Sequence, residues 1–141
     1  MGLAETDPGN AGWQRDLSVS YNKVGDVQVA QGDLSAALAS YKDSLAIFER
    51  LAETDPGNAG WQRDLARSHG RVALVLASQG NLAAALDEFR KGHAIIARLR
   101  EQSPDNATLP NDLTWFDGEI AKLEQAQAGE PATDQPRQAA R

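Results

Sequence analysis

The chain has 141 residues, a net charge of −6 at pH 7 and no cysteine. The length suits one domain of ordinary size, and the absence of cysteine excludes disulfides, thiolate nucleophiles and zinc–thiolate sites. The acidic balance predicts no nucleic-acid partner, because proteins that bind nucleic acid usually carry a basic stripe that displaces counterions.

Membrane insertion and secretion are not indicated by the sequence either. No stretch approaches the roughly 18 consecutive apolar residues of a membrane-spanning helix. The first residues, MGLAE, lack the charged start and apolar segment of a signal peptide. We therefore expect no membrane partner and a cytoplasmic location.

A repeat of 48 residues organises most of the chain. The letters LAETDPGNAGWQRDL occupy residues 3–17 and again 51–65, and residues 3–50 and 51–98 agree at 27 of 48 positions. Self-similarity at a fixed period is typical of solenoids and repeat arrays. A third, partial copy follows from Leu99. We predict a repeat domain over 1–127, made of repeat 3–50, repeat 51–98 and a capping helix at about 106–126, and then a disordered tail over 128–141.

Each repeat is predicted to form two helices, because its apolar residues recur at steps of three and four and never alternate. The first helices carry Trp13, Leu17, Tyr21 and Val24, and then Trp61, Leu65, His69 and Val72. The second helices carry Leu34, Ala37, Leu38, Tyr41, Leu45 and Phe48, and then Leu82, Ala85, Leu86, Phe89, His93 and Ile96. The last helix carries Leu109, Leu113, Phe116, Ile120 and Leu123, with Trp115 off this stripe.

Turn residues separate these predicted helices. Gly32 and Gly80 can adopt the left-handed conformation that ends a helix, and Asp33 and Asn81 follow them as N-caps. Pro56 prevents continuation of the preceding helix, Asn58 caps the next, and Pro8-Gly9-Asn10 is predicted to do the same at the start. The result is about five helices of roughly 17–21 residues, antiparallel to their neighbours because the turns are short.

These residues resemble the tetratricopeptide repeat, a family of antiparallel helix pairs with a small-residue signature. The matching positions are Tyr21, Val24, Gly25, Gly32, Ala37 and Tyr41, and then His69, Val72, Ala73, Gly80, Ala85 and Phe89. The period of 48 is longer than the family's usual period of about 34 and is similar to the long-helix repeats of kinesin light chain. The resemblance implies an all-α, right-handed α-solenoid. It also implies that small residues allow close helix approach and that Tyr41 and Phe89 fill the space between helix pairs.

In the resembled family, the first helix of each pair lines a concave groove that binds peptides or protein segments. That resemblance implies a protein-interaction scaffold with a protein or peptide partner. The corresponding positions here are Val19, Asn22, Lys23, Asp26, Arg67, Gly70, Arg71, Leu74, Trp115 and Lys122. Arg67 and Arg71 lie one helical turn apart and could hold a carboxylate between two forked donors.

Plainer interpretations stand beside these. Arginines on a helix face are usually solvated or paired with nearby carboxylates, and Trp115 could simply pack on the preceding helix pair. His69 and His93 are predicted to pack in the core rather than bind metal, because no cluster has ligand spacing. No catalytic motif is present, so we expect no enzymatic activity, no catalytic residue, no metal and no cofactor.

The N-terminal helix pair suggests an alternative function. Residues 3–5 align with the end of a second helix, 51–53, but no helix precedes them in the sequence. Because a repeat buries its faces only against its neighbours, we expect an exposed apolar flank here. End-to-end or swapped self-association, giving a homo-oligomer and a self-assembling structural module, is therefore the alternative to groove binding.

Overall fold

Five α-helices make up the part of the chain that the structure describes. The computed structural model describes the backbone of residues 8–140 and the side chains of residues 10–129. In chain order the helices are α1 (Pro8–Ala30), α2 (Leu34–Thr54), α3 (Ala59–Ser78), α4 (Leu82–Gln102) and α5 (Leu109–Ala140). No strand occurs within residues 8–140, so the prediction of an all-α fold is confirmed.

The turn inside each repeat is a left-handed glycine followed by a side-chain cap. Gly32 and Gly80 have φ angles of 80° and 84°, a conformation that is inexpensive only without a Cβ. Asp33 and Asn81 then accept hydrogen bonds from the backbone N–H groups three residues later, at 3.1 and 3.4 Å. The predicted stop and cap signals are confirmed at both turns.

The connection between the repeats also has its predicted cap, but the start of the chain differs. The Asn58 side chain accepts a hydrogen bond from the backbone N–H of Trp61 at 3.0 Å. Asn10, in the same sequence context, lies inside α1 and accepts a hydrogen bond from the Gln14 side chain instead. The helix can begin earlier in the first copy because proline is well tolerated at the first helical position. The predicted cap at Asn10 is therefore wrong.

Each helix packs chiefly against the helix before it and the helix after it in the chain. Small side chains lie at the closest contacts: Ala37, Ala73 and Ala85 are fully buried, as the resemblance implies. Large side chains fill the remaining space in one core that runs from α2 to α5 and includes Tyr41, Leu45, Val72, Leu76, Leu86, Phe89, Ile96 and Phe116.

Glycines allow two aromatic rings to approach neighbouring helices. A Cβ added to Gly25 would lie 2.5 Å from the Tyr41 ring. A Cβ added to Gly92 would lie 2.5 Å from the Phe116 ring and 2.9 Å from the Ala66 carbonyl oxygen. Since real Cβ atoms do not approach other atoms so closely, Gly92 fixes the separation between α4 and the buried ring of α5.

Two ion pairs join successive repeats in the same register. Arg15 contacts Asp64 at 3.3 Å, and Arg63 contacts Asp112 at 2.6 Å. The two aspartates are 48 residues apart, so each repeat offers an arginine to the first helix of the next. The same contact therefore joins the first helices of successive repeats twice.

The last helix is longer than predicted. The sequence indicates an end near residue 126, but α5 continues to Ala140. Residues 121–128 are mostly alanine, glutamine and glutamate, which favour helix and provide no stop signal. Residues 128–140, most of the predicted disordered tail, therefore have a helical backbone. The side chains of residues 130–141 lie outside the described part.

The outer face of α1 is exposed. Trp13 keeps 79% of its surface accessible, and Leu17, Val24 and Val27 are 49%, 48% and 55% exposed. Trp61, the equivalent of Trp13, packs against the buried cluster of Ala11, Ile47, Phe48 and Leu51, whereas no described helix precedes α1. The expected apolar flank is therefore present, and within residues 8–140 Trp13 does not join two helix pairs as Trp61 does. None of the described helices is long and apolar enough to cross a membrane.

Candidate functional site

A cavity of about 540 Å³ lies where α1, α2, α3 and α5 come together. The first helix of each copy therefore contributes to one concave surface. The lining side chains are Asp26, Val29, Leu34, Tyr41, Arg67, Arg71, Leu74, Val75, Ser78, Asp112, Trp115 and Phe116. Five of the predicted groove residues are among them: Asp26, Arg67, Arg71, Leu74 and Trp115.

Arg67 and Arg71 supply the cationic part of this cavity. They are four residues apart in α3 and therefore project from the same side of that helix. Neither guanidinium forms a salt bridge with a residue in the described part of the chain. Their planar donor groups are thus available for a carboxylate, which a guanidinium can bind through two parallel hydrogen bonds.

The two carboxylates in the cavity wall are already engaged. Asp112 accepts hydrogen bonds from Arg63 Nε and Nη2, at 2.6 and 3.3 Å, and this interaction raises the pKa of Arg63. Asp26 accepts a hydrogen bond from the Tyr41 hydroxyl. Both acidic groups thus have donors other than Arg67 and Arg71, and neither arginine forms a salt bridge with them.

Tyr41 is held in its neutral form at the inner end of the cavity. Burial of the ring and its hydrogen bond to Asp26 raise the pKa of Tyr41 to about 12, and the positive charge of Arg71 opposes this shift. Arg71 and Tyr41 thus line the same cavity, with the guanidinium close enough to act on the phenol.

Leu74 and Trp115 form the apolar wall. Their exposed fractions are 42% and 41%, which is large for apolar side chains inside a concave surface. One edge of the indole packs on α3, where a Cβ on Gly70 would lie 3.0 Å from the ring. The indole also contacts Phe89 edge-on at 5.7 Å. The packing interpretation of Trp115 is thus confirmed, and the rest of the ring stays open to the cavity.

Five of the predicted groove residues do not line the cavity, and one of them, Gly70, is buried against the Trp115 ring. Asn22 is only 8% exposed and its side-chain oxygen is buried, because it lies on the side of α1 that faces the core. Lys122 is on the surface and pairs with Glu119 at 3.1 Å. Val19 and Lys23 do not line the cavity. Arg71, the equivalent of Lys23 in the second repeat, lines the cavity because α1 lies opposite its helix, α3. Among the described residues no helix lies opposite α1 in the same way, so Lys23 has no cavity to line.

Several lining residues were not predicted from the sequence as site residues. No sequence motif marks four of them as site residues, because they lie on three different helices that come together only in the folded chain: Val29, Leu34, Val75 and Ser78. Asp112 could have been found from the repeat, because it is the third member of the Asp16, Asp64 series. Tyr41 and Phe116 were expected only as packing residues.

The two histidines make interhelical contacts away from the cavity. His69 is buried and its Nδ1 lies 2.7 Å from Glu88 Oε1, and this hydrogen bond lowers the pKa of Glu88. His93 Nε2 lies 2.9 Å from Asp117 Oδ1. Packing in the core is confirmed for His69, whereas His93, with 34% of its side chain exposed, lies at the edge of the core. Within the described part of the chain, no three His, Asp or Glu side chains are grouped to hold a metal ion.

Comparison with known proteins identifies no relative. No family model matches the chain, and no curated protein or solved structure matches it.

Proposed function

We propose that this chain is a protein-interaction scaffold that binds an extended peptide or protein segment in the cavity between its first helices. The ligand would present a carboxylate to Arg67 and Arg71 and an apolar side chain to Leu74 and Trp115. The proposal includes a right-handed α-solenoid of the tetratricopeptide type, a cytoplasmic location, and no catalytic step or cofactor.

The observation that carries this proposal is one concave surface that combines a half-exposed indole with two guanidiniums that form no salt bridge to residues 10–129. Aromatic and arginine side chains contribute a large share of binding energy in protein interfaces. A volume of about 540 Å³ is in the range of ligand sites, and it suits a few residues of a peptide rather than a whole domain.

Peptide selection on the full chain tests the proposal. A random peptide library with free C-terminal carboxylates is selected against the wild-type protein, and each selected peptide is remade with an amidated C-terminus. We expect selected peptides to lose affinity when amidated and to bind Arg67→Ala/Arg71→Ala at least about tenfold more weakly, because a hydrogen bond to a charged group contributes about 1.5–3 kcal/mol.

The matched control is Arg98→Ala/Arg100→Ala, which removes two exposed arginines of α4 that do not line the cavity. This variant should bind the peptides as the wild type does, and both double variants should keep the wild-type melting temperature. Peptides that bind all three proteins equally well would refute the cavity as the binding site.

A further inference from the structure

The exposed face of α1 carries a regular stripe of interface residues, separate from the cavity. The α1 stripe consists of Trp13, Leu17, Ser20, Val24 and Val27, and all five are exposed. Their spacing alternates four and three, which is the spacing of a helix seam that packs along another helix. The stripe extends over about 21 Å at 1.5 Å per residue.

The same five residue types occur at the equivalent positions of α3, where they form a helix interface. Ser68, Val72 and Val75 are only 1%, 1% and 3% exposed. Trp61 and Leu65 pack against a buried cluster formed by Ala11 of α1 and by Ile47, Phe48 and Leu51 of α2. The two helices therefore present an identical surface. It is covered in α3, which follows a second helix, and uncovered in α1, which follows none among the described residues.

The charges beside the stripe are also unmatched. Asp64 and Asp112 each bind an arginine of the preceding repeat, but Asp16, the equivalent residue of α1, forms no salt bridge within residues 10–129. Lys23 is exposed and likewise forms no salt bridge there. Because these two residues are seven apart, they lie on the same edge of the stripe.

We infer that the α1 stripe binds a second copy of this chain, with the two α1 helices antiparallel about a two-fold axis at Ser20. In this arrangement Trp13 lies level with Val27 of the partner subunit, and Leu17 lies within one residue's rise, about 1.5 Å, of the partner's Val24. Each large side chain meets a smaller one, and the small serine at the axis permits close approach. Its equivalent in α3, Ser68, is buried.

The same arrangement matches the charges. In antiparallel helices, residues on one edge of a seam face residues on the same edge of the partner. Asp16 therefore meets the partner's Lys23, and the symmetry makes this contact twice, as an isologous interface requires. The proposed interface shares no residue with the lining of the cavity, so it goes beyond the peptide-binding proposal and stands independently of it.

Light-scattering mass after size exclusion tests the inference on the full chain over about a hundredfold range of concentration. We expect the mass to rise from 15.1 kDa towards twice that value. Asp16→Lys alone and Lys23→Asp alone should each weaken dimerisation by about tenfold or more, because each places two like-charged pairs in the interface. Trp13→Ala should remain a folded monomer, since this side chain is exposed and its loss leaves the core intact.

Mixing the two charge variants gives the decisive comparison. A heterodimer of Asp16→Lys with Lys23→Asp has opposite charges at both contacts, so the mixture should recover the dimer mass that each variant alone lacks. Asp43→Lys, a charge reversal at an exposed position of α2, is the control and should dimerise as the wild type does. A wild-type mass fixed at one chain, or a mixture that stays monomeric, would overturn the inference.

Discussion

Gly92 gives a sensitive test of the packing between α4 and α5. Replacing it with alanine adds one methyl group, which would meet the Phe116 ring at 2.5 Å and the Ala66 carbonyl oxygen at 2.9 Å. The ring is buried and the oxygen belongs to the backbone of α3, so neither can move away by a simple rotamer change. The helices must separate or the ring must leave its preferred position.

Two opposing contributions determine the size of the effect. Alanine is better than glycine inside a helix by about 1 kcal/mol. Overpacking a well-packed core costs about 1–3 kcal/mol, and here the contact involves two helices at once. We therefore expect Gly92→Ala to lower the free energy of unfolding by about 1–2 kcal/mol, which is a fall of several degrees in melting temperature.

Gly118→Ala is the matched control in the same assay, which is urea unfolding followed by circular dichroism. A Cβ on Gly118 would meet nothing within 4 Å, so only the helix preference remains, and this variant should gain about 0.5–1 kcal/mol. Adding Phe116→Leu to Gly92→Ala should recover part of the loss, with a coupling of at least about 0.5 kcal/mol. If Gly92→Ala proved as stable as Gly118→Ala, the close approach of α4 and α5 would be refuted.

Three further predictions concern pH and capping. The pKa of Tyr41 is raised from 10.0 to about 12, so the stability that its neutral phenol contributes should be intact below pH 10.0 and be lost between pH 10.0 and about pH 12. The raised pKa is measured from the difference in absorbance at 295 nm between wild type and Tyr41→Phe as the pH increases. The pKa of Glu88 is lowered from 4.5 by its hydrogen bond to His69, so the stability difference between wild type and Glu88→Gln, measured by urea unfolding, should be present above pH 4.5 and shrink as the pH falls through the lowered pKa of Glu88. Asn58→Ala should cost about 1 kcal/mol in urea unfolding because the Trp61 backbone N–H loses its cap.

The features that the sequence predicts well are those that depend on near neighbours in the chain. Gly32, Gly80 and Asn58 act within one turn of their own positions, so their roles follow from local chemistry. The ion pairs between repeats also follow from the sequence, because equivalent residues of a repeat make equivalent contacts. A pair between Arg15 and Asp64 implies a pair between Arg63 and Asp112, each 48 residues further along.

The cavity was only partly predictable, since it depends on how the helices are stacked. Arg67, Arg71 and Leu74 were found because a projected helix face was enough to place them. Asn22 was misplaced by the same projection, because it lies on the side of α1 that faces the core. Lys23 was misplaced for a different reason. Its equivalent, Arg71, lines the cavity because another helix lies opposite, and the sequence of one repeat does not tell which of its helices has such a neighbour.

The measurement that tests the peptide-binding account most directly is a nitrogen–proton correlation spectrum of the labelled chain, recorded with and without a selected peptide. The chain has three tryptophans and hence three indole N–H signals, which Trp→Phe variants assign. The account predicts that the Trp115 signal moves on binding while those of Trp13 and Trp61 stay in place. A shift confined to Trp13 would contradict it, because the peptide would then occupy the α1 stripe and not the cavity.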